Sequence, residues 1–276
     1  MTRMHLRHLL ISLILFLLIV PLQVLHGQDV FTYEQDSPPN MQQMLNANEW
    51  FEYEVSYGFF TLGWIEVELM PDTTYQGRDV YHLKTTMRSN SRVPLIGTNI
   101  VEYENFFQFN EQYPYTHLFW RDDIHDDEFK RIKIEFDRDS SLVRFFERGE
   151  QVETLELIEP ASGGDIIFYY SRMFAGLSEP YELPVYIENE LGYVSAQSSP
   201  ETEMREYEAF DEPVETYRSD GDADINGPFG FRGRFTSWFS TSDLRVPVEA
   251  HVKVIFGNVK VRLIDYERRG ENISEN

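Results

Sequence analysis

The chain has 276 residues, of which 24 are basic and 47 are acidic, so its formal net charge at pH 7 is −23. This acidity excludes a nucleic-acid partner, because binding there needs basic side chains against the phosphates. The chain contains no cysteine, which excludes disulfides, a thiol nucleophile, thiolate metal ligands and a lipid-modified cysteine. Aromatic residues make up 15% of the chain, enough for a large core.

Residues 1–27 have the pattern of a signal peptide. Arg3 and Arg7 form a basic start, and the apolar run Leu9–Val20 follows. Gly27 offers a cleavage point, but Leu25 is bulkier than the residue usual before one, so the alternative is an uncleaved signal anchor. We expect export to the periplasm or cell envelope. We expect no membrane span in the mature chain, since no later run approaches the roughly 20 apolar residues required.

Residues 28–48 are polar, contain Pro38–Pro39 and lack a period, which predicts a flexible leader. From residue 49 to residue 266, short alternating segments are separated by turn residues about every ten positions. This pattern predicts a single all-β domain, built as a strongly curved antiparallel sheet or a partly open β-barrel. Residues 267–276 are predicted to form a polar tail.

One segment, Asp165–Gly176, predicts a short helix packed on the sheet. Ser162 and Asp165 have the spacing of a capping box, and Gly176 suits the C-terminal stop. Residues 197–213 are acidic and weakly periodic, which predicts a loop or an insertion. Residues 93–97 are apolar but contain a proline, and they predict a loop that could close the mouth of a barrel.

The clearest hairpin signal is the pair Gly257–Asn258, because a glycine in first place supplies the positive φ that a tight turn needs. Folding the chain about this pair places three apolar pairs on one face of the hairpin. These pairs are Val252 with Leu263, Val254 with Val261, and Phe256 with Val259. Lys253 then lies opposite Arg262, so this second face must be open to solvent or neutralised by an acid from a neighbouring strand.

Short strand and turn motifs follow one another in a distinctive order along residues 49–266. They are Glu52–Gly58, Tyr81–Leu83, Arg88–Asn90, Ile134–Asp137, Phe168–Arg172, Trp238–Ser240, Arg245–Val248 and Phe256–Val259. In these motifs the chain resembles an exported bacterial family known as domain of unknown function 3108. The resemblance implies export and a β fold, and it implies no catalytic residues.

Two groups of residues are candidates for metal binding. Asp222, Asp224 and Asn226 have the alternate spacing of oxygen ligands in a calcium loop, but the twelfth position lacks the usual glutamate. His117 and His125 flank a run of acids, and an approach across the turn would suit zinc or manganese. The alternative for both groups is a solvated polar turn.

The sequence contains no G-x-S-x-G nucleophile elbow, no H-E-x-x-H motif and no P-loop. His82 and His251 lie within strand segments, and we expect them to be satisfied sheet residues rather than general bases. We therefore predict a protein that is not an enzyme and has no cofactor. Its predicted partner is a lipid-like or other apolar ligand, or an envelope protein. The alternative is a hydrolase that attacks envelope polysaccharide with two carboxylates.

Overall fold

The computed structural model describes residues 37–93, 98–110, 113–125, 128–225, 232–253 and 257–270. Within these residues, fifteen strands form one sheet. The strands are β1 Glu49–Tyr57, β2 Phe60–Tyr75, β3 Arg78–Ser89, β4 Asn99–Phe109, β5 Pro114–His125, β6 Glu128–Asp137, β7 Leu142–Glu147, β8 Glu150–Glu156, β9 Ser162–Gly163, β10 Pro180–Ile187, β11 Glu190–Arg205, β12 Val214–Ala223, β13 Gly233–Ser240, β14 Pro247–Lys253 and β15 Asn258–Arg268.

The sheet runs in the order β8-β7-β6-β5-β4-β3-β2-β1-β15-β14-β13-β12-β11-β10-β9. All neighbours are antiparallel except β9 and β10, which are parallel. Strand β9 lies against the start of β5, which shows that the two halves of the sheet curl toward each other. The Thr116 amide donates to the Ala161 carbonyl at 3.4 Å, and the Gly163 amide donates to Thr116 Oγ1 at 2.9 Å.

This contact between β5 and β9 is too short to close the sheet, and among the described strands no ladder completes the circle. The architecture is therefore a strongly curved, partly open barrel-like sheet, and the predicted fold class is confirmed. Strands β6, β7 and β8 continue beyond the contact. Strand β8 forms one edge of the sheet, and all its residues except Leu155 are exposed.

The prediction of a flexible leader at residues 28–48 is wrong for its last part. Helix α1, Met41–Ala47, begins at Asn40, whose side chain accepts from the Gln43 amide, while Gln43 Oε1 accepts from the Asn40 amide. This reciprocal capping box fixes the helix start. Met41, Met44 and Leu45 are buried in the main core. Their spacing of i, i+3 and i+4 places them on one apolar face of the helix. Residues 28–36 lie outside the described residues.

The predicted short helix is present, but its start differs from the prediction. The segment consists of a 3₁₀ turn at Gly164–Ile166, helix α2 at Ile167–Tyr170 and a second 3₁₀ turn at Ser171–Phe174. Ser162 does not cap it, because its Oγ donates to the Pro114 carbonyl instead. Gly176, with φ of +84°, ends the segment as expected. We call residues 164–174 the helical segment.

Two further predictions need correction. Residues 197–205 are not a loop, because β11 continues through them and pairs with β12 across a register shift between Ser198 and Thr202. A bulge of this kind interrupts the alternation of side chains, which weakens the strand pattern in the sequence. The described loop between these strands is limited to residues 206–213.

The β14–β15 hairpin has a different register from the predicted one. Val252 pairs with Val259, and Lys253 pairs with Asn258. Gly257 has φ of +86°, as the turn chemistry predicts. The residue opposite Arg262 is Glu249 rather than Lys253, so the expected like-charge pair is replaced by an acid and a base. Residues 254–256 lie outside the described residues.

The antiparallel order places the β1–β2, β10–β11, β12–β13 and β14–β15 connections at one end of the curled sheet, which we call the rim end. At the opposite end, α1 packs into the main apolar core, and the helical segment, which begins beside Ile187 of β10, packs into the same core. Phe59 and Phe60 are exposed on the β1–β2 turn at the rim end. Of the predicted loop at residues 93–97, residues 94–97 lie outside the described residues.

Within the described part of the chain, no helix has the length and apolar character needed to cross a membrane.

Candidate functional site

A cavity of about 350 Å³ lies inside the curled sheet. Its lining is mainly apolar and comes from strands on both halves of the sheet. Representative lining residues are Ile65, Met87, Phe119, Val185, Phe235 and Val261. Because side chains alternate along each strand, the inward positions of many strands meet here while the outward positions carry the charges. The cavity is therefore a direct product of the alternation in the sequence.

The helical segment forms the floor of this cavity. Ile167 and Phe168 line the cavity, and the Phe168 ring packs edge-on against Phe51 at 4.8 Å between centroids. The lining also includes Ile187, whose side chain lies against Gly164 of the helical segment, and Val252 near the end of β14. The strands and the helical segment together enclose this space.

A buried ion pair holds the helical segment in place. Arg172 Nη2 lies 2.8 Å from Glu49 Oε2, and both side chains are completely buried. Glu49 Oε1 also accepts from the Tyr266 hydroxyl at 2.5 Å, and Arg172 Nε donates to the Leu244 carbonyl at 2.9 Å. Burial raises the pKa of Tyr266 well above its ordinary value, so it stays a neutral donor. These bonds join the floor to β1 and β15.

Asp165 is the charged residue of the cavity floor. Its Oδ1 accepts from Asn105 Nδ2 at 2.7 Å. Its Oδ2 and the Asn105 Oδ1 are both buried, and neither has a hydrogen-bond partner among the described residues. Burial raises the pKa of Asp165 to about 7, although the Asn105 bond and the backbone N–H groups of Asp165 and Ile166 oppose the shift. Protein surrounds the carboxyl, while the rest of the residue keeps some surface toward the cavity.

Two other charged residues line the cavity, and both are held in ion pairs. Arg232 bonds to Asp224. Glu249 accepts from Arg205 Nη2 at 2.5 Å and bonds to His251 at 2.6 Å, and these contacts lower the pKa of Glu249 to about 2 despite its burial. Asp165 is therefore the one charged lining residue, among those described, whose carboxyl has no ion-pair partner.

The structure does not bring the two predicted histidine ligands together. His117 and His125 both lie on β5, where eight residues of strand separate them by roughly 26 Å, so they do not meet across a turn. His117 Nε2 bonds to Gln108 Oε1, and burial lowers the pKa of His117 to about 4. The described residues contain no cluster of three or more side chains suited to a metal.

The calcium-loop candidates stay a prediction. Asp222 and Asp224 are both exposed, and Asp224 is engaged by Arg232. Asn226 lies outside the described residues. The other two histidines in strands have carboxylate partners: His82 bonds to Glu104 at 2.8 Å and His251 bonds to Glu249. The sequence reasoning missed Asn105 and the position of Asp165 in the cavity, since no local signal links residues 60 positions apart.

Comparison with known proteins adds little to these observations. No protein-family model and no curated protein matches the chain. A solved β-barrel-like protein of domain of unknown function 1849 from Brucella abortus is similar, with 8% sequence identity and a TM-score of 0.47. That alignment covers 80% of this chain and 97% of the other. At this level of similarity the match carries no argument, and membership of domain of unknown function 3108 stays a prediction.

Proposed function

We propose that this chain is an exported protein of the periplasm or cell envelope that binds a lipid-like or other apolar ligand and is not an enzyme. The observation that carries the proposal is the apolar cavity inside the curled sheet. Small-molecule sites are concave, mostly apolar and largely preformed, with a few polar groups that orient the ligand. The cavity has this character, with Asp165, Ser171 and Ser237 among its polar lining residues.

The size of the cavity limits the ligand. Ligand sites generally measure about 300–1,000 Å³, so a cavity of about 350 Å³ belongs near the lower limit. The proposed occupant is therefore a single medium-length acyl chain or a compact apolar molecule, and not a whole phospholipid.

The hydrolase alternative requires two carboxyls that face one cleft. Of the two acids that line the cavity, Glu249 is bound by Arg205 and His251. This leaves Asp165 without a second carboxyl to share acid and base roles, so the geometry favours binding over hydrolysis.

The test is the displacement of Nile red, a neutral apolar dye, from the purified full-length protein by n-decanol. We also propose Val261→Trp, which adds a large side chain inside the cavity, and Lys260→Trp as the matched control on the exposed side of the same strand. We expect Val261→Trp to weaken dye binding at least tenfold, while Lys260→Trp binds like the unmodified protein. Failure of the unmodified protein to bind dye and decanol, or equal binding by both variants, would overturn the proposal.

A further inference from the structure

Three neighbouring connections at the rim end belong to stretches of sequence that contain no acid. The β1–β2, β3–β4 and β14–β15 connections stand side by side, because the strand order there is β4-β3-β2-β1-β15-β14. Residues 55–65, 85–101 and 250–264 contain no aspartate or glutamate, although the whole chain has 47 acidic and only 24 basic residues. These strand ends therefore differ in charge from the rest of the protein.

The tip of the β1–β2 hairpin presents two aromatic side chains to solvent. Tyr57 pairs with Phe60, so Gly58 and Phe59 form a two-residue turn, with φ of +60° at Gly58. Phe59 is 97% exposed and Phe60 is 58% exposed, and their ring centroids lie 6.1 Å apart. Such a turn needs glycine or a small polar residue, and an exposed phenyl ring adds nothing to it. The folding of the hairpin therefore does not account for this pair.

Three exposed bases flank the aromatic tip. On one side Arg92 follows Asn90, whose side chain donates to the Thr61 carbonyl at 2.9 Å and so ties the β3–β4 connection to β2. On the other side Lys260 lies on β15, which pairs with β1, and Lys253 lies near the end of β14. Among the described residues, no ion pair involves any of these three bases.

The acids on neighbouring strands do not neutralise these bases. On β2 and β3, Glu66 lies 2.8 Å from Arg88. On β12 and β13, Asp222 is the register partner of Arg234. Each of these acids thus has another base beside it, so the positive charge around the aromatic tip is available to a partner.

We propose that Phe59, Phe60, Arg92, Lys253 and Lys260 form a docking surface for a lipid bilayer with anionic head groups. Bases at such a surface attract the negative head groups, and aromatic side chains enter the boundary between head groups and acyl chains. A pair of rings that protrudes from a hairpin tip needs no matching pocket in a fluid bilayer. A protein partner would have to supply a complementary surface for the same rings.

The net charge of −23 does not prevent this contact. At physiological ionic strength, charges separated by more than about 8 Å are largely screened in water. The bases beside the tip therefore act on a docked bilayer more strongly than the acids on distant parts of the chain. The inference goes beyond the proposed function, because it concerns the outside of the molecule and holds whether or not the cavity has a ligand.

The experiment measures docking at the tip itself, because the apolar run Leu9–Val20 of the full-length protein can bind lipid on its own. The chain has no cysteine, so the environment-sensitive dye NBD attached to Phe59→Cys labels the tip alone. Thr74→Cys is the matched control, since it labels an exposed position near the opposite end of the same strand as Phe60. Vesicles that contain phosphatidylglycerol and phosphatidylcholine are compared with vesicles of phosphatidylcholine alone.

We expect the dye at position 59 to shift its emission to shorter wavelength with the anionic vesicles and to bind them at least about tenfold more tightly than the neutral ones. The dye at position 74 should respond to neither. In the labelled Phe59→Cys protein, Lys260→Gln should weaken binding about fivefold, the factor for one base near an anionic surface. Arg78→Gln, which removes an exposed base at the opposite end of the sheet, should change binding less than about twofold because of screening.

Several outcomes would overturn the proposal. They are no response at position 59, equal binding to both kinds of vesicle, equal responses at positions 59 and 74, and equal losses for Lys260→Gln and Arg78→Gln. Analytical ultracentrifugation of the unlabelled protein tests another occupant, because a dimer that dissociates in Phe59→Ser would show that a second copy covers this surface.

Val261→Trp separates this inference from the proposed function. It adds a large side chain inside the cavity and leaves the docking surface unchanged, so it should dock like the unmodified protein. Loss of docking in Val261→Trp would overturn the assignment of docking to the outer surface. Failure of the unmodified protein to bind Nile red and n-decanol would leave the docking result as it stands.

Discussion

Replacing Asp165 by Asn should remove a dependence of stability on pH that the buried carboxyl creates. The pKa of Asp165 rises from 3.8 to about 7 in the folded chain. The folded state therefore binds this proton more tightly than the unfolded state, so the contribution of Asp165 to stability is greatest at low pH and is lost as the pH rises through about 7.

The magnitude follows from the size of the shift. Each pKa unit corresponds to about 1.4 kcal/mol, so a shift of roughly three units costs the unmodified protein about 4 kcal/mol at pH 8 compared with pH 3. Between pH 5 and pH 8, about 3 kcal/mol of this difference should appear. Asn has the same shape but no titrating proton. Asp165→Asn should therefore be more stable than the unmodified protein at pH 8 by up to about 4 kcal/mol.

Urea unfolding at pH 5, 6, 7 and 8 measures the effect, with Asp222→Asn as the control. The free energy of unfolding of Asp165→Asn, relative to that of the unmodified protein, should increase with each increase in pH. The difference between the control and the unmodified protein should stay the same at every pH. Two parallel curves for Asp165→Asn and the unmodified protein would refute the reasoning, since the carboxyl would then titrate as in the unfolded chain.

Three other predictions concern stability. Gly257→Val should lower the thermal midpoint well beyond Lys260→Val, because a bulky side chain at φ of +86° costs about 1–3 kcal/mol whereas Lys260 is exposed. Glu49→Gln should cost about 3–5 kcal/mol in urea unfolding, since it leaves the buried guanidinium of Arg172 without its carboxylate. Glu249→Gln should destabilise the protein at pH 7, and the loss should shrink as the pH falls toward about 2, where the carboxylate protonates in the folded state.

Each of these changes has a contrary outcome. Equal midpoints for Gly257→Val and Lys260→Val would place the turn elsewhere. A cost for Glu49→Gln no larger than that of Glu52→Gln, a change on the opposite side of the same strand, would show that the ion pair does not hold the helical segment. For Glu249→Gln, a deficit that stays constant from pH 7 to pH 3 would mean that packing rather than charge is lost.

The β14–β15 hairpin shows how much of the fold could be predicted. The alternation of Val252, Val259 and Val261 identified two strands and their inward faces, and both are confirmed. The register was wrong because the predicted partner of Val252, Leu263, lies four positions from the true partner, and a shift by an even number keeps the same faces inward. Periodicity determines which face is buried, and only tertiary packing selects the partner.

The candidate site was harder to predict than the strands. Asp165 looked like a capping residue, because its local spacing from Ser162 suggested one, yet its bond goes to Asn105 on a distant strand. Such a pairing depends on how the sheet curls, which short-range patterns do not encode. Helix α1, by contrast, could have been predicted from the sequence, because Asn40 and Gln43 have the spacing of a capping box.

The open edge at β8 has a consequence for how molecules of this protein meet. An exposed edge strand offers free backbone donors and acceptors to the same edge of another molecule, which is a common route to aggregation. Glu150, Glu153 and Glu156 stand along β8, and each is exposed. Two copies that paired along this edge would bring carboxylates together without compensating bases, and like charges on facing strands are destabilising. The sheet can thus keep an open edge without pairing with another molecule. The same acidity that repels nucleic acid disfavours contact between the β8 edges of two copies.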